Sequence, residues 1–204
     1  YSKNQAPKHI VDKANEHHMP VLNYLEELAS HIKIEEQHVV VLDWLNGNRS
    51  ILSNSHLTGS IFGLTLQTPY EMIHRAYIEA TAFGTKLIMK QFEDNHIPVH
   101  TVYASGGIPQ KSKLLVEIYA NVLNKKVVVL DSSNASALGA AMLGATVGNA
   151  YSTLKEAALS MKQPIAYIQE PEFQKVQAYE PLYHKYCELH DLLGRQYPEL
   201  SYLI

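Results

Sequence analysis

Tyr103-Ala104-Ser105-Gly106-Gly107-Ile108-Pro109-Gln110-Lys111 is the stretch whose surroundings settle the architecture. Residues 99–104 before it are mainly apolar or β-branched and read as a strand. Residues 111–124 after it carry Leu115, Ile118 and Val122 at helical spacing. Residues 127–130 (VVVL) are a short apolar run of the kind buried inside a sheet. Strand, helix and strand in about thirty residues make a βαβ unit, which joins parallel strands by a right-handed crossover. The glycine pair then falls at the carboxyl end of the first strand, where open α/β sheets take their ligands. Two glycines let backbone approach a ligand closely. A helix start offers free amides and the positive end of a dipole, both suited to phosphate. Taken alone the segment matches neither GxGxxG nor the Walker A pattern, and a tight turn without a ligand accounts for it equally well.

Outward from this unit the chain stays α/β. Val21, Leu22, Leu25, Leu28 and Ile32 recur at helical spacing, which places a helix from about Pro20. Residues 38–43 (HVVVLD) read as a buried strand, and Asn46-Gly47-Asn48 as a turn. Residues 59–66 alternate small and apolar side chains in an extended manner. Thr68-Pro69-Tyr70-Glu71 reads as a capping box opening a helix that runs to about Phe92, with Met72, Ala76, Ala80, Phe83 and Leu87 as its apolar stripe. Gly84 within that helix implies close approach of another element. An Ala/Gly-rich helix is expected over 135–147 and a second capping box at Thr153. A last helix is expected over 180–195, with Leu182, Tyr186, Leu189 and Leu193 inward.

Composition removes several classes of function. The chain has 204 residues, 46% of them hydrophobic and 18% charged, so disorder is not expected. Seventeen basic and 20 acidic residues give a net charge of −3, without the basic surplus of a nucleic-acid binder. No run approaches the roughly 20 apolar residues that span a bilayer. The single cysteine, Cys187, has no partner for an internal disulfide, as expected of a cytoplasmic protein. The eleven histidines show no HExxH or zinc spacing. Glu26-Glu27 and Glu35-Glu36 read as solvated helix faces. Asp43-Trp44-Leu45-Asn46-Gly47-Asn48-Arg49 reads either as polar groups near a sugar or an interdomain face, or as a hairpin in which Asp43 and Arg49 pair. Ser133-Asn134-Ala135-Ser136-Ala137-Leu138-Gly139-Ala140-Ala141 reads chiefly as tight helix packing, with its start available to border a nucleotide.

Four segments in order resemble one family. These are Gly59-Ser60-Ile61-Phe62-Gly63-Leu64-Thr65-Leu66, Tyr77-Ile78-Glu79-Ala80-Thr81-Ala82-Phe83-Gly84, Ala104-Ser105-Gly106-Gly107 and Ser136-Ala137-Leu138-Gly139-Ala140-Ala141. Together they are similar to the FGGY carbohydrate kinases, over roughly residues 39–193. Within that family the 43–49 segment looks most like the members acting on L-ribulose, with those acting on xylulose or glycerol as nearest competitors. The resemblance implies an actin-like kinase of two ribonuclease-H-like domains that bind sugar and ATP in the cleft between them. This α/β chain would be the second such domain, incomplete at its amino-terminal edge. Residues 1–37 would be a partly helical lead-in, and 38–204 the nucleotide-binding domain.

Carried over residue by residue, the resemblance marks Ser105, Gly106, Gly107, Gln110 and Lys111 as nucleotide-binding, with either Gln110 or Lys111 meeting adenine or ribose. It implies ATP and Mg2+ as cofactors. The partners it implies are a ketopentose and the chain's own N-terminal domain. A homodimer is neither required nor excluded. The implied reaction is ATP + L-ribulose to ADP + L-ribulose 5-phosphate, in L-arabinose breakdown. A non-catalytic actin-like nucleotide-binding module is the alternative, and an α/β domain whose glycines only shape turns is the plainest one. The family's Asp-x-Gly phosphate loop, its Gly/Thr-rich second loop and its catalytic Asp have no counterpart here, and the chain opens at Tyr1 without an initiator Met. The expectation is a piece of a longer enzyme that holds adenosine and lacks the reacting centre. The purified 204-residue chain is therefore expected to show no turnover of L-ribulose and ATP, and measurable ADP release dependent on L-ribulose would contradict this.

Overall fold

The computed structural model describes residues 6–132 and 134–202. Two short helices come first, α1 (Lys8–Glu16) and α2 (Val21–Ser30). They close on a small core of Ile10, Ala14, Val21, Tyr24 and Leu25. The first of these helices had no clear sequence signal. In the second, Tyr24 and Ala29 turn inward and Leu22 is exposed, so the buried face is rotated from the expected stripe.

Strand β1 (Val40–Leu42) is buried at every position and pairs antiparallel with β2 (Ser60–Phe62). The loop between them holds the expected turn, with Gly47 at φ +75. Gly63 ends β2 at φ +83, and a Cβ there would lie 2.4 Å from the His38 carbonyl oxygen. Only glycine fits that crossing.

Helix α3 (Tyr70–Asp94) is the longest element, and Met72, Ala76, Ala80 and Phe83 are buried along it as the stripe requires. Its start differs from the capping box. No side chain caps it, and Thr68 Oγ1 instead accepts from Thr65 N at 2.9 Å. Beyond it come β3 (Thr101–Ala104), α4 (Gly107–Lys111), α5 (Lys113–Leu123) and β4 (Lys126–Leu130). Strands β3 and β4 pair in parallel, from Thr101 opposite Lys126 to Ala104 opposite Val129, which is the βαβ unit. Its crossover is two helices rather than one. Ser112 leaves the helical region (φ −109, ψ 97) and caps the second helix by accepting from Leu115 N at 3.1 Å. Serine competes well for backbone donors in this way, and so breaks helices as it starts them. Leu114, Val116, Ile118 and Val122 are buried along α5, whereas Leu115 is only partly buried.

Helix α6 (Ala135–Val147) has the expected bounds. Helix α7 (Leu154–Met161) is capped by Thr153, which accepts from Glu156 N at 3.2 Å. An unforeseen strand, β5 (Ile165–Gln169), pairs antiparallel with β4 and completes a sheet of order β3-β4-β5. Helix α8 (Phe173–Asp191) starts seven residues earlier than expected and carries Pro181 inside it. Pro181 lies at the ninth position, past the free amides of the first turn, so the Gln177 carbonyl has no amide to accept from within the helix. A π-helical turn (Leu192–Gln196) follows and buries Leu193.

The main core gathers β1, α3, α5 and α8 around Leu42, Trp44, Phe83, Ile118, Tyr179 and Tyr186. Gly84 of α3 is the close approach its small size implied, because a Cβ there would lie 3.4 Å from Tyr186 Oη. A charged cluster is sealed into this core. Arg75 is 5% exposed and Glu79 1% exposed. Arg75 Nε donates to Glu79 Oε1 at 2.8 Å, Nη1 to the Ala29 carbonyl at 2.9 Å and Nη2 to Tyr179 Oη at 2.8 Å. Tyr179 Oη donates to Glu79 Oε1 at 3.2 Å, and Gln37 Nε2 donates to Glu79 Oε2 at 3.0 Å. Burial pushes the Glu79 carboxyl above the usual carboxylate range, against the pull of the Arg75 guanidinium and the three donors. No helix among the described residues is long and apolar enough to cross a membrane.

Truncating one partner of a buried ion pair leaves the other charge without compensation. Glu79→Ala is expected to lower stability by about 3–5 kcal/mol, read as a shift of the urea midpoint. A loss below about 1 kcal/mol, the value of an exposed pair, would contradict the account.

Candidate functional site

The carboxyl ends of β3 and β4 lie side by side, and the chain leaves each of them in a turn. After β3, Ser105 is exposed and Gly106 adopts φ +97, ψ −179, a conformation that favours glycine. Gly106 N donates to the Ser132 carbonyl at 2.9 Å, tying the turn after β3 to the turn after β4. Gly107 begins α4. A Cβ placed on Gly106 or on Gly107 would meet nothing within 4 Å, so both face open space. The first amides of α4 have no acceptor inside the helix.

Beside this turn lies a cavity of about 630 Å³. Tyr103 and Ser105 line it from β3 and its turn, Leu130 and Ser132 from the end of β4, Leu138, Gly139 and Met142 from α6, and Lys162 to Ile165 from the approach to β5. The walls are mainly apolar, with a few hydroxyls and one ammonium. Such a slot suits a flat ring system with a polar tail.

Helix α6 departs from the packing reading. None of its residues is buried, and a Cβ on Gly139 or Gly144 would meet nothing within 4 Å. Its small side chains form a wall of the cavity instead of a close contact with the sheet. Ser133, in the same motif, lies outside the described residues.

The five marked residues separate into groups. Ser105 lines the cavity, and Gly106 and Gly107 form the turn at its edge. Gln110 is turned back onto β4: its Nε2 donates to the Leu130 carbonyl at 3.1 Å and lies 3.4 Å from Asp131 Oδ1. Lys111 is exposed and forms no hydrogen bond or ion pair among the described residues. Tyr103, Leu138, Met142 and Lys162 escaped the sequence reading. The small residues of α6 serve equally for tight packing and for making room, so the sequence alone did not mark it as a cavity wall.

The 43–49 segment lines a separate cleft of about 320 Å³, together with Thr81, Thr85, Tyr186 and His190. It shares no lining residue with the first. Asp43 and Arg49 form no ion pair with each other, so the hairpin-pair reading does not hold. Burial pushes the Asp43 carboxyl up and the His190 imidazole down, the latter against the pull of Asp191. Cys187 is half-buried, and burial pushes its thiol up, the direction of an unreactive cysteine. The described residues hold no group of three His, Cys, Asp or Glu that could bind a metal ion.

Comparison with known proteins bears on the family of the chain. The chain is 97% identical over all 204 residues to a ribulokinase of Staphylococcus epidermidis, and covers 38% of that protein. It is 68% identical over 203 residues to ribulokinase 1 of Staphylococcus saprophyticus, again covering 38% of it. The chain thus spans well under half the length of the curated relatives it matches. Among solved structures, xylulose kinase from Rhodospirillum rubrum superposes with a TM-score of 0.73 at 23% identity, over 94% of this chain and 37% of that one, which is a likeness of fold. Residues 2–147 match the C-terminal domain of the FGGY family of carbohydrate kinases, and the chain belongs to that family.

Proposed function

We propose that this chain is the adenosine-binding part of a kinase that transfers the terminal phosphoryl group of ATP to L-ribulose, giving ADP and L-ribulose 5-phosphate in the breakdown of L-arabinose. The observation that carries the proposal is the open Gly106-Gly107 turn beside the apolar cavity at the ends of two parallel strands. The 97% identity to a Staphylococcus epidermidis ribulokinase supports L-ribulose as the acceptor.

On this reading residues 38–204 form the nucleotide-binding domain, and residues 1–37 lead into it. Adenine enters the slot between Tyr103 and the Leu138–Met142 face of α6. Gly106 and Gly107 let the backbone approach the ribose and phosphates, and Ser105 offers a hydroxyl at the cavity mouth. Lys111, exposed on α4, has no ion-pair partner among the described residues, and is the better candidate of the two polar residues for contact with the nucleotide. Gln110 has its amide engaged elsewhere.

Phosphoryl transfer rests on positioning and charge stabilisation rather than on covalent work by the protein. Magnesium, when bound to ATP, neutralises charge on the transferred group. The described residues do not fit a magnesium site of their own, so its ligands would be the phosphates and groups outside this chain. The carboxylate that takes the proton from the sugar hydroxyl would likewise come from the protein's N-terminal domain. An enzyme consuming ATP and a free pentulose would work in the cytoplasm.

The test is calorimetry with ATP and magnesium on the full-length protein. Gly107→Trp places an indole where a Cβ has no neighbour within 4 Å, so the fold tolerates it while the turn is blocked. The affinity for ATP is expected to fall at least about tenfold, or 1.4 kcal/mol. Wild-type affinity in a folded variant would sink the proposal.

A further inference from the structure

The short helix that carries the glycine turn is held in an unusual way. Helix α4 has five residues and none of them is buried. A helix of that length does not persist on its own propensity, and no apolar face fastens this one to the sheet. Three hydrogen bonds take over that role. Gly106 N donates to the Ser132 carbonyl at 2.9 Å. Gln110 Nε2 donates to the Leu130 carbonyl at 3.1 Å. Tyr167 Oη, from β5, donates to the Pro109 carbonyl at 2.9 Å. The receiving segment is itself anchored, since Ser132 N donates to Leu130 O at 2.8 Å and Asp131 N to Pro164 O at 2.9 Å. Neither Gln110 nor Tyr167 lines the cavity beside the turn.

We propose that Gln110 and Tyr167 are positioning residues that clasp α4 onto the ends of β4 and β5, and so fix the height at which the Gly106-Gly107 turn meets a nucleotide, without touching that nucleotide themselves. This rests on the adenosine reading given above. The clasp uses two groups of the sheet end, the Leu130 carbonyl of β4, whose oxygen also accepts from Ser132 N, and the Tyr167 hydroxyl of β5. A tyrosine hydroxyl is a donor at neutral pH in any case, and burial pushes that of Tyr167 further up.

Steady-state kinetics of the full-length enzyme test the proposal. Tyr167→Phe removes one donor and no volume. It and Gln110→Ala are each expected to raise KM for ATP about three- to tenfold, the equivalent of one net hydrogen bond, with kcat and the KM for the sugar within about twofold of wild type. Gln110→Glu sets a carboxylate against the Leu130 carbonyl and the Asp131 carboxylate. It is expected to raise KM for ATP more than Gln110→Ala does, and adding Asp131→Asn is expected to bring the value back down.

A wild-type KM for ATP in Tyr167→Phe overturns the clasp, whatever Gln110→Ala does, because a direct contact from Gln110 to the nucleotide would leave Tyr167 without influence. Failure of Asp131→Asn to relieve Gln110→Glu overturns it as well. Both results leave the adenosine site standing if Gly107→Trp abolishes ATP binding. If Gly107→Trp binds ATP normally, the adenosine reading itself is what fails.

Discussion

The buried pair of Arg75 and Glu79 is the constraint on which the rest of the domain leans. Three segments outside α3 bond to it. The end of α2 supplies the Ala29 carbonyl, the segment entering β1 supplies Gln37, and α8 supplies Tyr179. Gln37 carries the network onward, because its Oε1 accepts from Val39 N at 3.1 Å, next to the first residue of β1. Two charges removed from water are stabilised only where hydrogen bonds satisfy them in full. Glu79 takes three donors and the Arg75 guanidinium gives three bonds, so the cluster defines which face of each element points inward. Apolar packing alone would tolerate a sliding of α8 along α3. The fixed fork of a guanidinium does not.

The end of the domain that carries the glycine turn is built on the opposite principle. No residue of α4 or α6 is buried, and Tyr103, Ile108 and Leu143 stand more than half exposed. The sheet is firm a few residues away, with Val127, Val128 and Val129 buried in β4. Among the described residues from 131 to 150, only Ser132 is buried. That arrangement suits a site that must admit a ligand, because a turn closed by apolar side chains has no room for one. It also means that the geometry of the turn depends on individual hydrogen bonds, where a shift of a fraction of an ångström is not resisted by packing.

The βαβ core was legible because its signals are local. The VVVL run of β4, the stripe of α5 and the turn between strand and helix each follow from side-chain period, and the parallel register follows from the crossover. Misreadings arose where side-chain hydrogen bonds competed with backbone preference. Ser112 cuts the crossover helix in two by capping the second half, and Thr68 bonds to Thr65 N in place of capping α3. Strand β5 was hidden because Ile165, Tyr167 and Ile168 alternate too briefly to stand out, and its pairing partners on β4 lie 35 to 42 residues earlier in the chain. The Arg75–Glu79 pair was not singled out from the sequence, because its i,i+4 spacing is common on exposed helix faces and only the tertiary arrangement buries it. The turn residues Ser105, Gly106 and Gly107 were legible by position; the cavity walls on α6 were not, because small residues serve equally for tight packing and for making room.

Gln110 shows why residue type alone does not assign a role at such a turn. An amide two positions before a helix ends could face a ribose as readily as a neighbouring strand. Here the end of β4 offers it a carbonyl that already accepts from Ser132 N, and a carbonyl oxygen has a second lone pair to give. Lys111, which has no partner among the described residues, is the longer side chain and the charged one. On the proposed reading the two neighbours divide the work by reach: the short amide holds the helix against the sheet, and the long cation is free to extend toward a phosphate or a ribose. The division follows from where hydrogen-bond acceptors stand at the sheet end.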